Sequence, residues 1–173
     1  MRIVAGKHAN RELTSPGKRV RPTAERIRVA WMDWLAEEIK GARILELFAG
    51  TGAVGLEALS RGAWSVDFVE RDPAAFHSLK ANVAKLRERN HTRIFKRDAI
   101  PFLAGIDDDG YDLVLADPPY NSAVSKLLVD RWKAIKFSPL LAVEHATAQD
   151  MPKGDRTLDL HETTITLYKQ AVK

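Results

Sequence analysis

The sequence predicts an α/β fold: a mostly parallel, seven-stranded sheet ended by a C-terminal antiparallel hairpin, with a short basic extension at the N-terminus. Three observations carry this reading. From residue 42 onward, short apolar runs alternate with segments of helical periodicity, as in β-α-β units with right-handed crossovers. A glycine turn joins the first apolar run to the helix that follows it. Two late runs, Thr157 to Leu160 and Thr163 to Tyr168, are separated only by His161 and Glu162, a spacing that fits a hairpin on the sheet edge.

Along the chain, residues 1 to 22 read as extended, with strand-like pieces at Arg2 to Val4 and Arg11 to Thr14 and turns at Pro16-Gly17 and Pro22. Thr23 is placed to cap a helix in which Ile27, Ala30, Trp31, Trp34 and Leu35 recur at helical spacing, ending near Lys40-Gly41. Strands are expected at Arg43 to Phe48, Ser65 to Glu70, Thr92 to Lys96, Tyr111 to Ala116 and Leu140 to Glu144. Helices are expected over Ala53 to Arg61, Pro73 to Arg89, Ile100 to Leu103 and Ser122 to Ile135, with a turn at Asp107 to Gly110. The 173 residues suit one structural unit, with an arm and helix over 1–40 and the sheet domain over 41–173.

Composition narrows the function classes. The chain has no cysteine, which excludes disulfides, thiolate metal sites and a cysteine nucleophile. His8, His77, His91, His145 and His161 have no ligand spacing, so no metal is expected. The first residues turn polar too soon for a signal peptide, and no run of about 18 apolar residues occurs, so a cytoplasmic protein without membrane contact is expected. Charge is uneven. Residues 1–28 carry eight cations against Glu12 and Glu25, while the whole chain is only +4. A basic arm on a slightly acidic body fits docking to a polyanion.

Gly50-Thr51-Gly52-Ala53-Val54-Gly55 satisfies the G-x-G-x-x-G pattern, in which glycines permit a tight turn and close approach of a ligand to the main chain. That pattern alone would also fit a dinucleotide. The neighbouring acids decide. Glu46, Glu70, Asp98 and Asp117 each fall at or just after the end of a predicted strand, where open α/β sheets bind ligands. Four carboxylates there would repel a pyrophosphate but suit S-adenosyl-L-methionine, which carries a sulfonium and an amino group and no phosphate.

Asp117-Pro118-Pro119-Tyr120 follows an apolar strand, and its prolines fix an extended turn that leaves carbonyls as acceptors. An exocyclic base amine is a poor nucleophile because its lone pair is delocalised into the ring. Asp117 and the Pro118 carbonyl, accepting from its two N–H groups, would direct that lone pair toward a methyl donor, while Tyr120 stacks on the base.

With these motifs the chain resembles the RsmD-type 16S ribosomal RNA guanine-N2 methyltransferases. The resemblance spans Arg2 to Gly6, Arg11-Glu12-Leu13, Arg21 to Arg28 with Trp34-Leu35, Glu46 to Gly62, Glu70-Arg71-Asp72, Asn82, Asp98-Ala99, Asp117 to Tyr120, Glu144 and Leu167-Tyr168. It implies a Rossmann-like methyltransferase fold and methylation of guanine in 16S ribosomal RNA, usually guanine 966, within a small-subunit particle and by a monomer. It places S-adenosyl-L-methionine on Glu46, Phe48, Gly50, Thr51, Gly52, Glu70, Arg71, Asp98, Ala99 and Asp117, with Glu46 at the methionine part, Glu70 at the ribose and Asp98 at the adenine amine. Asp117, Pro118, Pro119 and Tyr120 become the catalytic site, and Arg19, Arg21, Thr23, Arg26, Arg28 and Tyr120 the RNA contacts. Glu46 stands where aspartate is more usual in the family, and Asn10 and Glu162 where glycine is. The competing readings are an N6-adenine methyltransferase using the same tetrapeptide, a non-catalytic RNA-binding module, and an NAD-dependent oxidoreductase, which the acidic crevice opposes.

Overall fold

The computed structural model describes residues 1–16, 25–106, 110–120 and 123–171. After the arm come α1 (Glu25–Trp34) and α2 (Ala36–Ile39), then β1 (Arg43–Leu47), α3 (Ala53–Ser60), β2 (Ser65–Val69) and α4 (Pro73–Leu86). They are followed by β3 (Thr92–Phe95), α5 (Ala99–Leu103), β4 (Leu113–Ala116), α6 (Val124–Ile135), β5 (Leu140–Ala146), β6 (Arg156–Asp159) and β7 (Thr163–Lys169). The strands form one seven-stranded sheet in the order β3-β2-β1-β4-β5-β7-β6. The first five are parallel, and β7 enters antiparallel between β5 and β6, as the short hairpin loop requires.

Because helices cover both faces, β4 buries every position as a continuous apolar run, and β1, β2 and β5 bury all but their end residues. Ile44, Val66, Phe68, Leu113 and Leu115 face α1, α3 and α4; Leu45, Leu47, Val69, Val114 and Ala116 face α5 and α6, where Trp132 is fully buried. Helix starts follow local chemistry. Asp72 caps α4 by accepting from Ala74 N at 3.0 Å and Ala75 N at 2.8 Å, with Pro73 behind it. That helix stops at Arg87, which turns left-handed (φ 60°), short of the expected Arg89, and a single 3-10 turn over Arg89–His91 leads into β3.

The expected first helix is broken. At Leu35 the backbone leaves the α region (φ −104°, ψ 19°), which buries both Leu35 and Ile39. Its buried face also differs: Ile27, Arg28, Trp31 and Met32 point inward, while Ala30 and Trp34 are only half-buried. The Thr23 cap and the turn at residues 107–109 lie outside the described residues.

The arm is not a free tail. Arg2 and Glu12 pair in an antiparallel bridge around a turn, and the Glu57 carboxylate, fully buried on α3, accepts from Val4 N at 2.9 Å and Ala5 N at 3.0 Å. Ser60 Oγ donates to the Ala5 carbonyl and accepts from His8 N. Asn10, where a glycine was expected, is left-handed (φ 67°), a region asparagine tolerates. At the β6–β7 turn the left-handed residue is His161 (φ 75°), not Glu162.

Gly6 makes this docking possible: its φ is +82°, and a Cβ there would sit 1.8 Å from the Ser60 carbonyl oxygen. Gly6→Ala should therefore undock the arm, costing about 2 kcal/mol and lowering the thermal midpoint by about 4–8 °C. A calorimetric midpoint equal to that of the unmodified chain would refute the docking role.

Candidate active site

The strand order reverses between β1 and β4, so the chain leaves a crevice at the carboxyl ends of those strands, where α/β sheets bind ligands. A cavity of about 500 Å³ opens there, within the range of small-molecule sites. Its walls come from the end of β1 and the glycine turn, from Val69 to Asp72 after β2, from Arg97 and Ala99, and from Asp117 to Tyr120 after β4.

Four carboxylates line this cavity: Glu46, Glu70, Asp117, and Asp72, whose side chain caps α4. Glu46 on β1 is almost wholly buried and accepts from Gly55 N at 2.9 Å. Burial pushes its carboxyl up to about 8; the hydrogen bond from Gly55 opposes the rise, Asp117 and Glu70 add to it, and Arg28 offsets part of it. Glu70 accepts from Gly50 N at 2.7 Å and Asp72 N at 2.6 Å, bracing the glycine turn against the end of β2. Asp117 is half-buried directly after β4. Pro118 is buried behind it and Pro119 exposed at the rim.

The glycine turn is shaped by its own packing. Gly50 (φ 55°) and Phe48 (φ 57°) are both left-handed, so β1 ends at Leu47 and the Phe48 side chain turns onto the cavity wall. Gly55 must lack a side chain because a Cβ would lie 2.5 Å from Glu46 Oε2 and 2.6 Å from Phe68. Asn82, fully buried on α4, donates to the Thr51 and Thr14 carbonyls, both at 3.0 Å, and so ties the turn to the arm.

Tyr120 is anchored from two further strands. Its hydroxyl donates to Glu144 Oε1 on β5 at 2.9 Å and meets Thr163 Oγ1 on β7. Thr163 gave no signal in the sequence beyond being a polar residue in an apolar strand.

Glu46, Phe48, Gly50, Thr51, Glu70, Arg71, Ala99, Asp117, Pro118, Pro119 and Tyr120 thus line one cavity. Gly52 and Asp98 stand off its wall. Gly52 (φ 77°) caps α3, packed where a Cβ would strike Leu79. Asp98 caps α5 and pairs with Arg71 Nη1 at 2.9 Å, so the fourth acid on the cavity wall is Asp72, itself engaged in capping α4, and not Asp98. Arg97 was missed, although it stands next to a residue that was singled out.

Arg26 is exposed on α1, open to a partner. Arg28 requires a correction. It has no exposed surface: Nη2 donates to the Arg2 carbonyl at 2.5 Å and Nε lies 3.5 Å from Glu57 Oε2, so it cannot touch RNA. Its spacing to Trp31, Met32 and Leu35 was the available clue that it shares the buried face. Arg19, Arg21 and Thr23 lie outside the described residues.

A family profile described as Conserved hypothetical protein 95 matches residues 1–169. Ribosomal RNA small subunit methyltransferase D of Escherichia coli (strain K12) is 35% identical over 173 residues, covering 95% of this chain and 84% of that protein. The chain belongs to the RsmD-type family. The solved structure of yhhF from Escherichia coli superposes with a TM-score of 0.86 at 30% identity, over 100% of this chain and 99% of that one. The Thermus thermophilus 16S rRNA N2 G1207 methyltransferase (RsmC), solved with AdoMet and guanosine, shares the RsmD-type fold at a TM-score of 0.65 and 20% identity, over 90% of this chain and 44% of that one.

The buried acid of this RsmD-type site has a measurable signature. A carboxyl with an ordinary value near 4.5 in the unfolded chain and about 8 in the folded one contributes stability below 4.5 that is lost as pH rises through 8. Glu46→Gln keeps an acceptor for Gly55 N but cannot ionise. It should match the parent near pH 4 and become more stable than it, by a few kcal/mol, between pH 5 and 8, levelling off above that. Denaturant midpoints that run parallel across this range would show that Glu46 is not held protonated.

Proposed function

We propose that this chain transfers a methyl group from S-adenosyl-L-methionine to the exocyclic N2 amine of a guanine in 16S ribosomal RNA. The observation that carries the reading is the convergence of Glu46, Glu70 and Asp117 on one cavity whose rim is Pro118-Pro119-Tyr120. A cavity walled by four acids against Arg71 and Arg97, with Arg71 already paired to Asp98, fits a ligand with positive charge and no phosphate, and its size fits a nucleoside-sized molecule. Relatives named for small-subunit ribosomal RNA methylation support the substrate class, and a fold-level relative solved with guanosine supports the base.

The residues divide the work. Glu46 would hold the methionine end, Glu70 the ribose, and the main chain of the glycine turn would lie along the ligand. Bound there, the sulfonium supplies an electrophilic methyl group. Asp117 and the Pro118 carbonyl accept from the two N–H groups of the base, which localises the nitrogen lone pair toward the methyl. Tyr120, its hydroxyl held by Glu144 and Thr163, presents a fixed face on which the extruded base stacks. After transfer the surplus proton leaves the methylated nitrogen through Asp117. Most of the acceleration comes from positioning and from acceptors set in advance of the reaction.

Two outcomes test this. Asp117→Ala should leave donor binding within a few-fold of the parent and reduce single-turnover methylation of small-subunit RNA by about 10²-fold or more; transfer at near-parent rate, or methylation at adenine N6, would overturn the assignment. Because Glu46 keeps its proton to about 8 in the free protein, capture of a cationic amino group should release that proton. Donor affinity should then rise with pH from 6 to about 8, by up to tenfold per unit, and then flatten, and Glu46→Gln should abolish the slope. Titration calorimetry with no pH dependence in the parent would remove Glu46 from the donor site.

A further inference from the structure

The arm is not the only store of positive charge. Residues 80–97 hold seven cations against one acid, Glu88, whereas residues 29–173 as a whole sum to −2. The rest of the body is therefore −8, with acids outnumbering cations over it as a whole. The lone acid there is already neutralised: Glu88 is buried and pairs with Lys7 at 2.7 Å and His8 at 2.5 Å. Arg93 is held by Asp67. The other six, Lys80, Lys85, Arg87, Arg89, Lys96 and Arg97, are exposed and have no ion pair among the described residues.

These six occupy one continuous path. Arg97 lines the candidate active-site cavity. Next to it, Lys96 at the end of β3 and Lys80 on α4 both lie 5.8 Å from the centre of the Phe76 ring, one cation on each approach to the same aromatic group. The outer stripe of α4, a helix without a single acid, continues to Lys85, whose carbonyl accepts from the Arg11 guanidinium at 3.1 Å and so joins the arm to the path. Arg87 and Arg89 follow in the turn before β3. The path ends at Trp64, which is 65% exposed and stands edge-on to His91 at 5.9 Å. Elsewhere on the same side of the sheet, α1 and α2 expose Glu25, Asp33 and Glu37, so the basic character is local to this edge.

We infer that the α4–β3 edge, from Arg97 to Arg89, is an RNA-docking belt that holds the phosphodiester backbone next to the base delivered to the cavity. This deepens the proposed methylation and rests on it for the identity of the RNA. A row of exposed, unpaired cations starting at the cavity wall fits a phosphate chain; a folded acidic protein would gain less from a row one helix long and would leave Trp64 and Phe76 without a purpose. The belt binds without reading sequence, because phosphate contacts position an RNA and base contacts specify it.

The test replaces Lys80, Lys85 and Arg87 together with Gln, with Arg131→Gln/Lys133→Gln on the opposite side as the control. Binding of a small-subunit RNA fragment is measured against salt concentration, and donor binding by calorimetry. In the belt variant the log–log salt slope should become shallower by about two, with affinity at low salt falling at least tenfold, while the control keeps the parent slope and both keep donor affinity. An unchanged slope in the belt variant overturns the belt, as does a variant that binds naked RNA normally and loses only protein-containing particles. Failure of the methylation reading is separate: the parent would then bind RNA with its full slope yet transfer no methyl group to it.

Discussion

The contact between Glu46 and the amide of Gly55 sets the spacing on which the site depends. It ties the first central strand to the first turn of the helix after it, at a distance that no residue with a Cβ could permit. Everything around the cavity is placed relative to that join: the glycine turn runs between the two, Glu70 braces the turn from the next strand, and Asp117 arrives from the strand on the other side. The cost is a carboxyl group held in a nearly dry place, where it keeps its proton to about 8. A buried acid that carries its charge only when something cationic comes close is a sound way to favour a sulfonium ligand over an anionic one.

The arm extends the same logic outward. Glu57, on the helix that begins at the glycine turn, satisfies two amides of the arm, and Asn82 links the arm to the carbonyl of Thr51. Arg28 fills the space between Arg2 and Glu57, fully desolvated and only partly hydrogen-bonded, which is costly unless the pairing is kept. The arm is thus built onto the glycine turn by buried polar contacts.

Much of this was legible in the sequence because the signals are short-range. Strand-helix alternation, the glycine turn, the acids after the strands and the rigid Asp-Pro-Pro-Tyr segment are all local patterns, and they placed Glu46, Glu70, Asp117 and Tyr120 on one crevice. What sequence reasoning missed depends on partners distant in the chain. Asp98 precedes a helix, a position that suits a cap, but its pairing with Arg71 across the turn has no signal in its neighbourhood. Arg28 reads as one more cation of a basic arm until the buried stripe of its helix is fixed by Trp31 and Met32. Thr163 reaches Tyr120 only because β7 returns beside β5. The interruption at Leu35 likewise follows from where two apolar side chains must go and from no breaker residue.

The arrangement of charge in the body was hidden for a related reason. Summed over the body, acids and bases nearly cancel, and a total hides how they are arranged. In three dimensions they separate: acids gather inside the crevice and on α1–α2, and cations along α4 and the edge strand. The separation suits the two partners of a transfer reaction. A small cationic donor is drawn to the interior, where low dielectric strengthens its contacts, while a large polyanion meets the exterior edge, where salt screening keeps its grip reversible. Arg97 sits at the junction, on the cavity wall and at the start of the basic path. On the proposed reading, a nucleotide whose backbone follows that path is brought to the rim formed by Asp117 and Tyr120, so the division of charge would also set the direction from which the base enters.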